Sequence, residues 1–298
     1  MPINLARGAR PQKSFNLKLP DKEVSLPELI GKMIGPYQLI AEINETGNSM
    51  VYKGIQPAAN RYVAVKILKP GAAHSPEVVQ RYQQEGDMLA QFHHPRLLEV
   101  YETGEVQGLV YRAARLAENG SLQDHLAFGL KNFFYETSRA SLLFQEIVEG
   151  LEFIYSQGYI HGNLKPAKIL LDAMLHPLLS DFGLPARIGD GTSPYLAPEQ
   201  VRGGMVDRRV DVYALGVLLY TALAGAAPQP RVVVSLRTRR PDVPEGVESV
   251  VLKAMAQNPD QRFQSAADFF EDLQKALISP PPPPDHAPPP TVPLQEVS

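Results

Sequence analysis

The chain has 298 residues, of which 44% are hydrophobic and 20% are charged, and its formal net charge is −3. This composition is typical of a globular protein, and the small net charge gives no general attraction to nucleic acid. The lack of cysteine excludes disulfides and thiolate chemistry, and no apolar run reaches the length of about 18 residues that predicts a membrane span. Because the N-terminus has no signal-peptide pattern, we expect a cytoplasmic protein.

The first elements predicted along the chain are strands. Residues 1–33 show weak periodicity and a basic excess, and we interpret them as an N-terminal extension. Three β-branched and aromatic runs then begin at Tyr37, namely YQLIAEI, SMVYKGI and RYVAVKIL, and the polar turns between them predict an antiparallel meander. A helix is predicted next, with Ser75 as its N-cap and Pro76 at its first position, followed by the strands LLEVYETG and GLVYRAARL.

The second half of the chain is predicted to be helical. SRASLLFQEIVEGLEFIYSQG has apolar residues at helical spacing and a stop signal at Gly158. VDVYALGVLLYTALAG is almost entirely apolar and predicts a buried helix, while VESVVLKAMAQ and SAADFFEDLQKAL are amphipathic. Strands followed by helices predict an α+β architecture with two lobes, the smaller over residues 34–117 and the larger over 118–278.

The C-terminal residues 279–298 have a different composition. Nine prolines lie between Pro280 and Pro293. Because proline lacks an N–H group and fixes φ, this segment predicts a semi-rigid polyproline II tail rather than a helix or strand. Two interpretations stay open, a linker or terminus without a binding role and a ligand for an aromatic-lined proline-binding groove.

A series of short motifs occurs in a fixed order along the predicted lobes. They are VAVK ending at Lys66, Glu85 in the next helix, HGNLKPAKIL at residues 161–170, DFG at 181–183, APE at 197–199, Asp211 in the buried helix, and NPDQR ending at Arg262. This order resembles the eukaryotic-like (Hanks-type) serine/threonine protein kinases of bacteria, from about Tyr37 to Leu277. The resemblance implies the two-lobed protein kinase fold, with a small antiparallel β-rich lobe carrying one main helix and a larger helical lobe.

The resemblance also implies a nucleotide-binding site between the lobes. Lys66 would hold the α- and β-phosphates and pair with Glu85, and Asp181 would hold a metal ion. Ala114 would be a small gatekeeper that opens a cavity behind the adenine site. The other implied nucleotide contacts are Asn44 and Gly47 in the phosphate-covering loop, Val51, Ala64 and Leu170 around adenine, and Arg115 and Ala117 at the hinge.

A further group of residues would hold the fold together. The resemblance implies that Leu89, His161 and Phe182 stack between the lobes. It also implies that Glu199 and Arg262 form a buried ion pair and that Asp211, which opens the buried helix, is structural. These six residues are expected to be structural.

Several positions depart from the family pattern. Asn163 stands where the family has its catalytic aspartate, and a neutral amide cannot accept a proton. Lys168 replaces a metal-binding asparagine, so either an ammonium occupies the position of a cation or the side chain turns to solvent. In the phosphate-covering loop the three glycine positions hold Asn44, Thr46 and Ser49. Gly162 replaces the arginine that receives an activation-loop phosphate, and the segment containing Thr192 is short, so no switching by phosphorylation is expected there.

These departures favour a pseudokinase that performs little or no phosphoryl transfer and acts as a scaffold or allosteric signalling partner, so we expect the chain not to be an enzyme. The alternative is an active but atypical serine/threonine kinase in which Lys66, Lys165 and Lys168 neutralise ATP while Asp181 holds a single Mg²⁺. A third interpretation separates nucleotide binding from chemistry and predicts that ATP binds weakly, with little or no dependence on Mg²⁺. Other signalling proteins are the expected partners, through the N-terminal extension or the proline-rich tail, and no nucleic acid is expected.

Overall fold

The computed structural model describes residues 29–127, 137–183, 193–229 and 235–278. Its strands are β1 (Met33–Ile34), β2 (Tyr37–Glu45), β3 (Ser49–Gln56), β4 (Arg61–Leu68), β5 (Val100–Val106), β6 (Leu109–Arg115), β7 (Ile169–Leu171) and β8 (Pro177–Leu179). Its helices are α1 (Pro70–Ala73), α2 (Pro76–Leu89), α3 (Leu122–Ala127), α4 (Thr137–Ser156), α5 (Pro198–Val201), α6 (Arg209–Ala224), α7 (Leu236–Arg239), α8 (Glu245–Ala254) and α9 (Ala266–Ile278). The proline-rich tail and Thr192 lie outside the described residues.

The smaller lobe is an antiparallel sheet covered by helix α2. Its strand order is β1-β2-β3-β4-β6-β5, and every neighbouring pair is antiparallel, which confirms the predicted meander. Helix α2 begins as predicted, because the Ser75 hydroxyl accepts a hydrogen bond from Val78 N and Pro76 occupies the first turn. The lobe's core begins at Leu29, which is buried, so the last residues assigned to the N-terminal extension pack with this lobe.

In the larger lobe helix α6 packs against α8 and α9, and α9 packs against α4. Helix α6 is buried along most of its length, as its apolar sequence predicts. Gly158 follows helix α4 with a φ of +80°, and Gly225 ends helix α6 with a φ of +76°. Both glycines therefore adopt the left-handed conformation that favours this residue at helix ends. The α+β, two-lobed architecture is confirmed, and none of the helices in the described ranges is long and apolar enough to cross a membrane.

Candidate active site

A cleft with a volume of about 310 Å³ lies where the β2–β3 turn, helix α2 and the loop at residues 161–168 meet. Five cationic and two anionic side chains line it, namely Lys66, Arg81, Arg112, Lys165, Lys168, Glu85 and Asp181. A cavity of about 430 Å³ beside Tyr159 and Arg208, in the larger lobe, contains none of the predicted site residues. The cleft between the lobes is therefore the candidate site, and its character is strongly cationic.

Asp181 is the centre of charge in this cleft. It follows strand β8 with a φ of +53°, and its carboxylate lies near side chains from strands β4 and β6. The Lys168 ammonium contacts its Oδ2, Lys66 Nζ lies 3.7 Å from the same oxygen, and Arg112 Nη1 lies 3.9 Å from Oδ1. Burial alone would raise the pKa of Asp181, but Lys66 and Lys168 outweigh burial and hold this pKa well below its usual value.

The predicted ion pair between Lys66 and Glu85 is not formed in the structure. Glu85 Oε1 accepts a hydrogen bond from Arg81 Nε at 2.8 Å, one turn away on helix α2, while Lys66 approaches Asp181. Asp181 favours the charged form of Lys66, but burial and the charges of Lys168 and Arg112 together lower the Lys66 pKa. Both members of the expected pair therefore have other charged neighbours, Asp181 for Lys66 and Arg81 for Glu85.

Lys168 points into the cleft and not to solvent. It ends a short 3₁₀ turn, Pro166–Lys168, whose backbone fixes the side chain opposite Asp181. Its ammonium therefore places a fixed positive charge beside the carboxylate that the resemblance assigns to a metal ion. This geometry matches an ammonium at the position of a cation and not a side chain turned to solvent.

The residues present do not fit the two-metal site of a protein kinase. Mg²⁺ requires oxygen ligands in near-octahedral geometry. Asp181 supplies one carboxylate, which three cations already approach, and the ammonium of Lys168 has no lone pair to offer. Within the described ranges no group of three or more histidine or carboxylate side chains could hold a metal ion.

Asn163 and Lys165 also contribute to the cleft. Both side chains line it, and the Asn163 backbone N–H donates to His161 Nδ1 at 3.4 Å. Burial and the neighbouring Lys168 lower the pKa of Lys165. The amide of Asn163 can orient a hydroxyl group by hydrogen bonding, but it cannot remove the proton.

The phosphate-covering loop satisfies part of its own hydrogen bonding. Thr46 Oγ1 lies 2.7 Å from Ser49 Oγ, and Ser49 N–H donates to Thr46 Oγ1 at 3.2 Å. Asn44 pairs with Val51 across strands β2 and β3, while Gly47 has open space around it. The Ser49 N–H group, which in a glycine-rich loop could meet a phosphate, is therefore already bonded inside the turn.

The residues assigned to adenine are not among those that line the cationic cleft. Val51, Ala64 and Leu170 are each partly buried, and Ala114 is buried. At the hinge, Arg115 Nη2 donates to Asp172 Oδ2 at 2.9 Å, which ties this segment to the β7–β8 turn. The Ala117 carbonyl accepts from Gly120 N at 3.3 Å. The hinge side chain of Arg115 is thus engaged with the larger lobe.

The six residues expected to be structural have dense contacts. Phe182 packs edge-on against Phe92 at 5.2 Å and lies 6.5 Å from the His161 ring, while Leu89 is buried on helix α2. Asp211 accepts the backbone N–H groups of His161 and Gly162, both at 2.8 Å. Burial raises the pKa of Asp211 to about 6, although these N–H groups act in the opposite direction. Arg262 donates to both oxygens of Glu199 at 2.7 and 2.8 Å.

His161 gives the fold an acid sensitivity that can be measured. Burial lowers the pKa of His161 to about 4. In the unfolded chain an imidazole binds a proton below about pH 6.5, so only the unfolded state gains this proton as the pH falls from about 6.5 toward 4. We expect the contribution of His161 to thermal stability to decrease as the pH falls across this window, while the raised pKa of Asp211 acts in the opposite direction, and we expect His161→Phe to remove the His161 contribution. Asp211 is present in both proteins, so the difference isolates the imidazole. Equal slopes would contradict this assignment.

The sequence patterns missed three residues that shape the cleft. Arg112, Arg81 and Tyr82 line it but belong to none of the motifs. The sequence held one indication of Arg112. It is a charged residue inside the apolar strand GLVYRAARL, and a charge in such a strand is either buried or faces a functional site. The pairing of Arg81 with Glu85 follows the i,i+4 spacing of a helix and could also have been anticipated.

The fold and the cleft together define a domain of the protein kinase type. The family model for the protein kinase domain matches residues 37–278, which is most of the chain. The chain therefore belongs to the protein kinase domain family, whose members in general use ATP and Mg²⁺.

Comparisons with individual proteins agree with this assignment. The chain is 29% identical over 272 residues to the serine/threonine-protein kinase PrkC of Bacillus subtilis, covering 83% of this chain and 42% of PrkC. It is 32% identical over 268 residues to the serine/threonine-protein kinase PknB of Mycobacterium tuberculosis, covering 80% of this chain and 42% of PknB. The chain thus spans about two fifths of the length of these curated relatives.

Solved structures show the same fold. The Mycobacterium tuberculosis PknI kinase domain is similar with a TM-score of 0.67 and 26% identity, covering 83% of this chain and 98% of that one. The apo form of PpkA-294 is similar with a TM-score of 0.72 and 24% identity, covering 84% and 99%. Both comparisons confirm the predicted two-lobed kinase fold.

The expectation that the chain is not an enzyme is wrong. It rested on four altered sites, namely positions 163 and 168, the phosphate-covering loop and the lost phosphate receptor at Gly162. The relatives that match over 80 to 83% of this chain, at 29 to 32% identity, are named serine/threonine kinases, and this similarity contradicts the expectation.

Proposed function

We propose that the chain is an atypical ATP-dependent serine/threonine protein kinase in which lysine side chains supply charge that metal ions supply elsewhere in the family. The observation that carries the proposal is the contact of the Lys168 ammonium with Asp181, beside Lys66. The similarity to PrkC and PknB, both named serine/threonine kinases, supports the substrate class.

The charges in the cleft support this function in a simple way. Phosphoryl transfer passes through a loose transition state, so positioning and charge stabilisation account for most of the catalysis. Lys66, Lys165 and Lys168 all line one cleft and would surround the phosphate chain of ATP. Asn163 would orient the attacking serine or threonine hydroxyl by a hydrogen bond without accepting its proton. The expected result is slow transfer with a reduced requirement for Mg²⁺.

Metal dependence tests this proposal directly. We expect the wild-type protein to bind ATP in EDTA with nearly the affinity that it has in Mg²⁺. Lys168→Asn removes the fixed charge and creates a side chain that can ligate a metal, so affinity in EDTA should fall about tenfold or more, while Mg²⁺ restores it. Isothermal titration under both conditions measures the effect. Lys53→Asn is the matched control, because Lys53 lies over the Tyr62 ring outside the cleft.

Transfer itself is measured with radiolabelled ATP and dephosphorylated casein as acceptor. Label should appear on serine or threonine with the wild-type protein and disappear with Asp181→Ala. Absence of transfer by the wild-type protein in both Mg²⁺ and EDTA would overturn the proposed function. Persistence of transfer in Asp181→Ala would assign the activity to a contaminant.

We also propose bounds for the two lobes and partners for the segments that flank them. We assign residues 34–117 to the smaller lobe and 118–278 to the larger one, flanked by the extension 1–33 and the tail 279–298. The two flanking segments are proposed to contact other signalling proteins. Pull-down experiments with each segment deleted would test this. If both deletion variants retain all the partners of the full chain, the proposal is contradicted.

A further inference from the structure

Helix α2 is joined to the rest of the site by contacts that differ from those of the family. In protein kinases a strand lysine and a helix glutamate form this connection. Here Glu85 bonds Arg81 on its own helix, and Lys66 Nζ lies 3.7 Å from Asp181. Neither side chain of the usual pair therefore connects the helix to the sheet.

Arg112 makes this connection instead. It lies on strand β6 directly opposite Lys66 in register, and only 4% of its surface is exposed. Its Nη2 donates to the Tyr82 carbonyl at 2.6 Å, its guanidinium lies 4.3 Å from the centre of the Tyr82 ring, and its Nη1 lies 3.9 Å from Asp181 Oδ1. One planar group thus contacts helix α2 and the central carboxylate of the cleft, a geometry that suits the rigid fork of arginine.

Two other residues bring the helix close to the sheet. The Tyr82 hydroxyl donates to the Lys66 carbonyl at 2.9 Å, so Tyr82 is bonded to both strand β4 and strand β6. Gly86 follows one turn later. A Cβ atom at Gly86 would lie 1.8 Å from Thr103 Oγ1 and 2.9 Å from Arg112 Nε. Only glycine allows the helix to approach the guanidinium this closely.

The arrangement is unfavourable for stability alone. Arg112 Nε and Thr103 Oγ1 are buried without a hydrogen-bond partner among the described residues. Leaving such groups unpaired is costly, and a buried charge adds a desolvation penalty. An apolar side chain would fill this position in strand β6 without that penalty. The charge of Arg112 therefore points to a role in the site rather than in the core.

We propose that Arg112 is a positioning residue that fixes helix α2 to Asp181 in place of the Lys66–Glu85 ion pair. It acts through Tyr82 on the helix and through its charge on Asp181 and Lys66. The inference rests on the proposed function for its consequence in catalysis, but the connection between the helix and the cleft can be measured without phosphoryl transfer.

The test compares Arg112→Met with Arg61→Met. Arg61 is the matched control, since its guanidinium lies 3.6 Å from the centre of the Tyr101 ring in the same sheet but outside the cleft. In Arg112→Met we expect amide hydrogen exchange across residues 76–89 to accelerate about tenfold and ATP to bind about tenfold more weakly. The pH profile of Lys66 acylation, followed by peptide mass spectrometry, should shift to higher pH because a neighbouring positive charge is gone. Arg61→Met should leave all three unchanged.

Two further variants keep the test decisive. Arg112→Lys retains the charge without the fork, so it should preserve the pH profile of Lys66 and restore helix protection only in part. Gly86→Ala should accelerate exchange in the helix by steric conflict, whereas Gly71→Ala, with open space around it, should not. These variants answer the question even where Arg112→Met does not fold.

The outcomes separate this inference from the proposed function. Helix exchange and Lys66 titration in Arg112→Met that match those of Arg61→Met would overturn the positioning role, whatever the transfer activity. A loosened helix and shifted Lys66 profile in a protein that transfers no phosphate would overturn the proposed function and leave the positioning role standing.

Discussion

Asn163→Asp is expected to raise the rate of phosphoryl transfer by about 10²- to 10⁴-fold, the usual contribution of a positioned general base. The side chain at this position already lines the cleft, beside Lys165 and Lys168. An aspartate there would differ from asparagine by little in shape, and the two ammonium groups would keep it ionised. The substitution would therefore add a proton acceptor without rebuilding the site.

The rate is measured with radiolabelled ATP at saturating acceptor protein, so that binding and transfer are separated. Asn60→Asp is the matched control, because Asn60 is an exposed residue outside the cleft and the same charge is added there. An unchanged rate in Asn163→Asp, with ATP affinity retained, would mean that the missing base does not limit transfer. The positions of the phosphate-covering loop would then be the next candidates.

Arg262→Met is expected to lower the free energy of unfolding by about 3–5 kcal/mol, the typical effect of breaking a buried ion pair from one side. Arg262 is 2% exposed and donates to both oxygens of Glu199. Its other hydrogen bonds go to the carbonyls of Ala256 and Arg209. The substitution leaves the Glu199 carboxylate and two carbonyls without this donor in the interior of the larger lobe.

Urea unfolding followed by circular dichroism gives the change in free energy. Arg237→Met serves as the comparison, since Arg237 Nη1 meets the exposed Glu245 at 3.5 Å and such surface pairs contribute less than about 1 kcal/mol. The double variant with Glu199→Gln should recover part of the loss, because the unpaired charge is removed as well. A loss in Arg262→Met no larger than that in Arg237→Met would show that the pair is dispensable.

The sequence predicted the elements of this fold well because each depends on local signals. The β-branched runs from Tyr37 onward form the predicted meander, and the cap at Ser75 and the stop at Gly158 lie where the pattern placed them. The apolar helix α6 is buried because its sequence leaves no polar face for solvent. Lys66, Lys168 and Asp181, which belong to three of the motifs, line one cleft.

The side-chain partners inside the cleft could not be predicted in the same way. Lys66, Lys168 and Arg112 come from three separate segments, and all approach one carboxylate. Lys66 approaches Asp181, and Glu85 pairs with Arg81 instead. No single motif predicts this arrangement. Arg112 contributes through its register opposite Lys66, which becomes known only when the strands are aligned in space.

The excess of positive charge in the cleft, five cationic side chains against two anionic ones, also has a consequence for solution conditions. Lys66, Lys168 and Asp181 retain some solvent exposure, so dissolved ions reach them. The electrostatic screening length is about 8 Å at physiological ionic strength and about 3 Å at 1 M salt. We therefore expect sulfate or inorganic phosphate from a buffer to compete with a nucleotide for the same charges. A measured affinity for ATP would then depend on the electrolyte as well as on the protein.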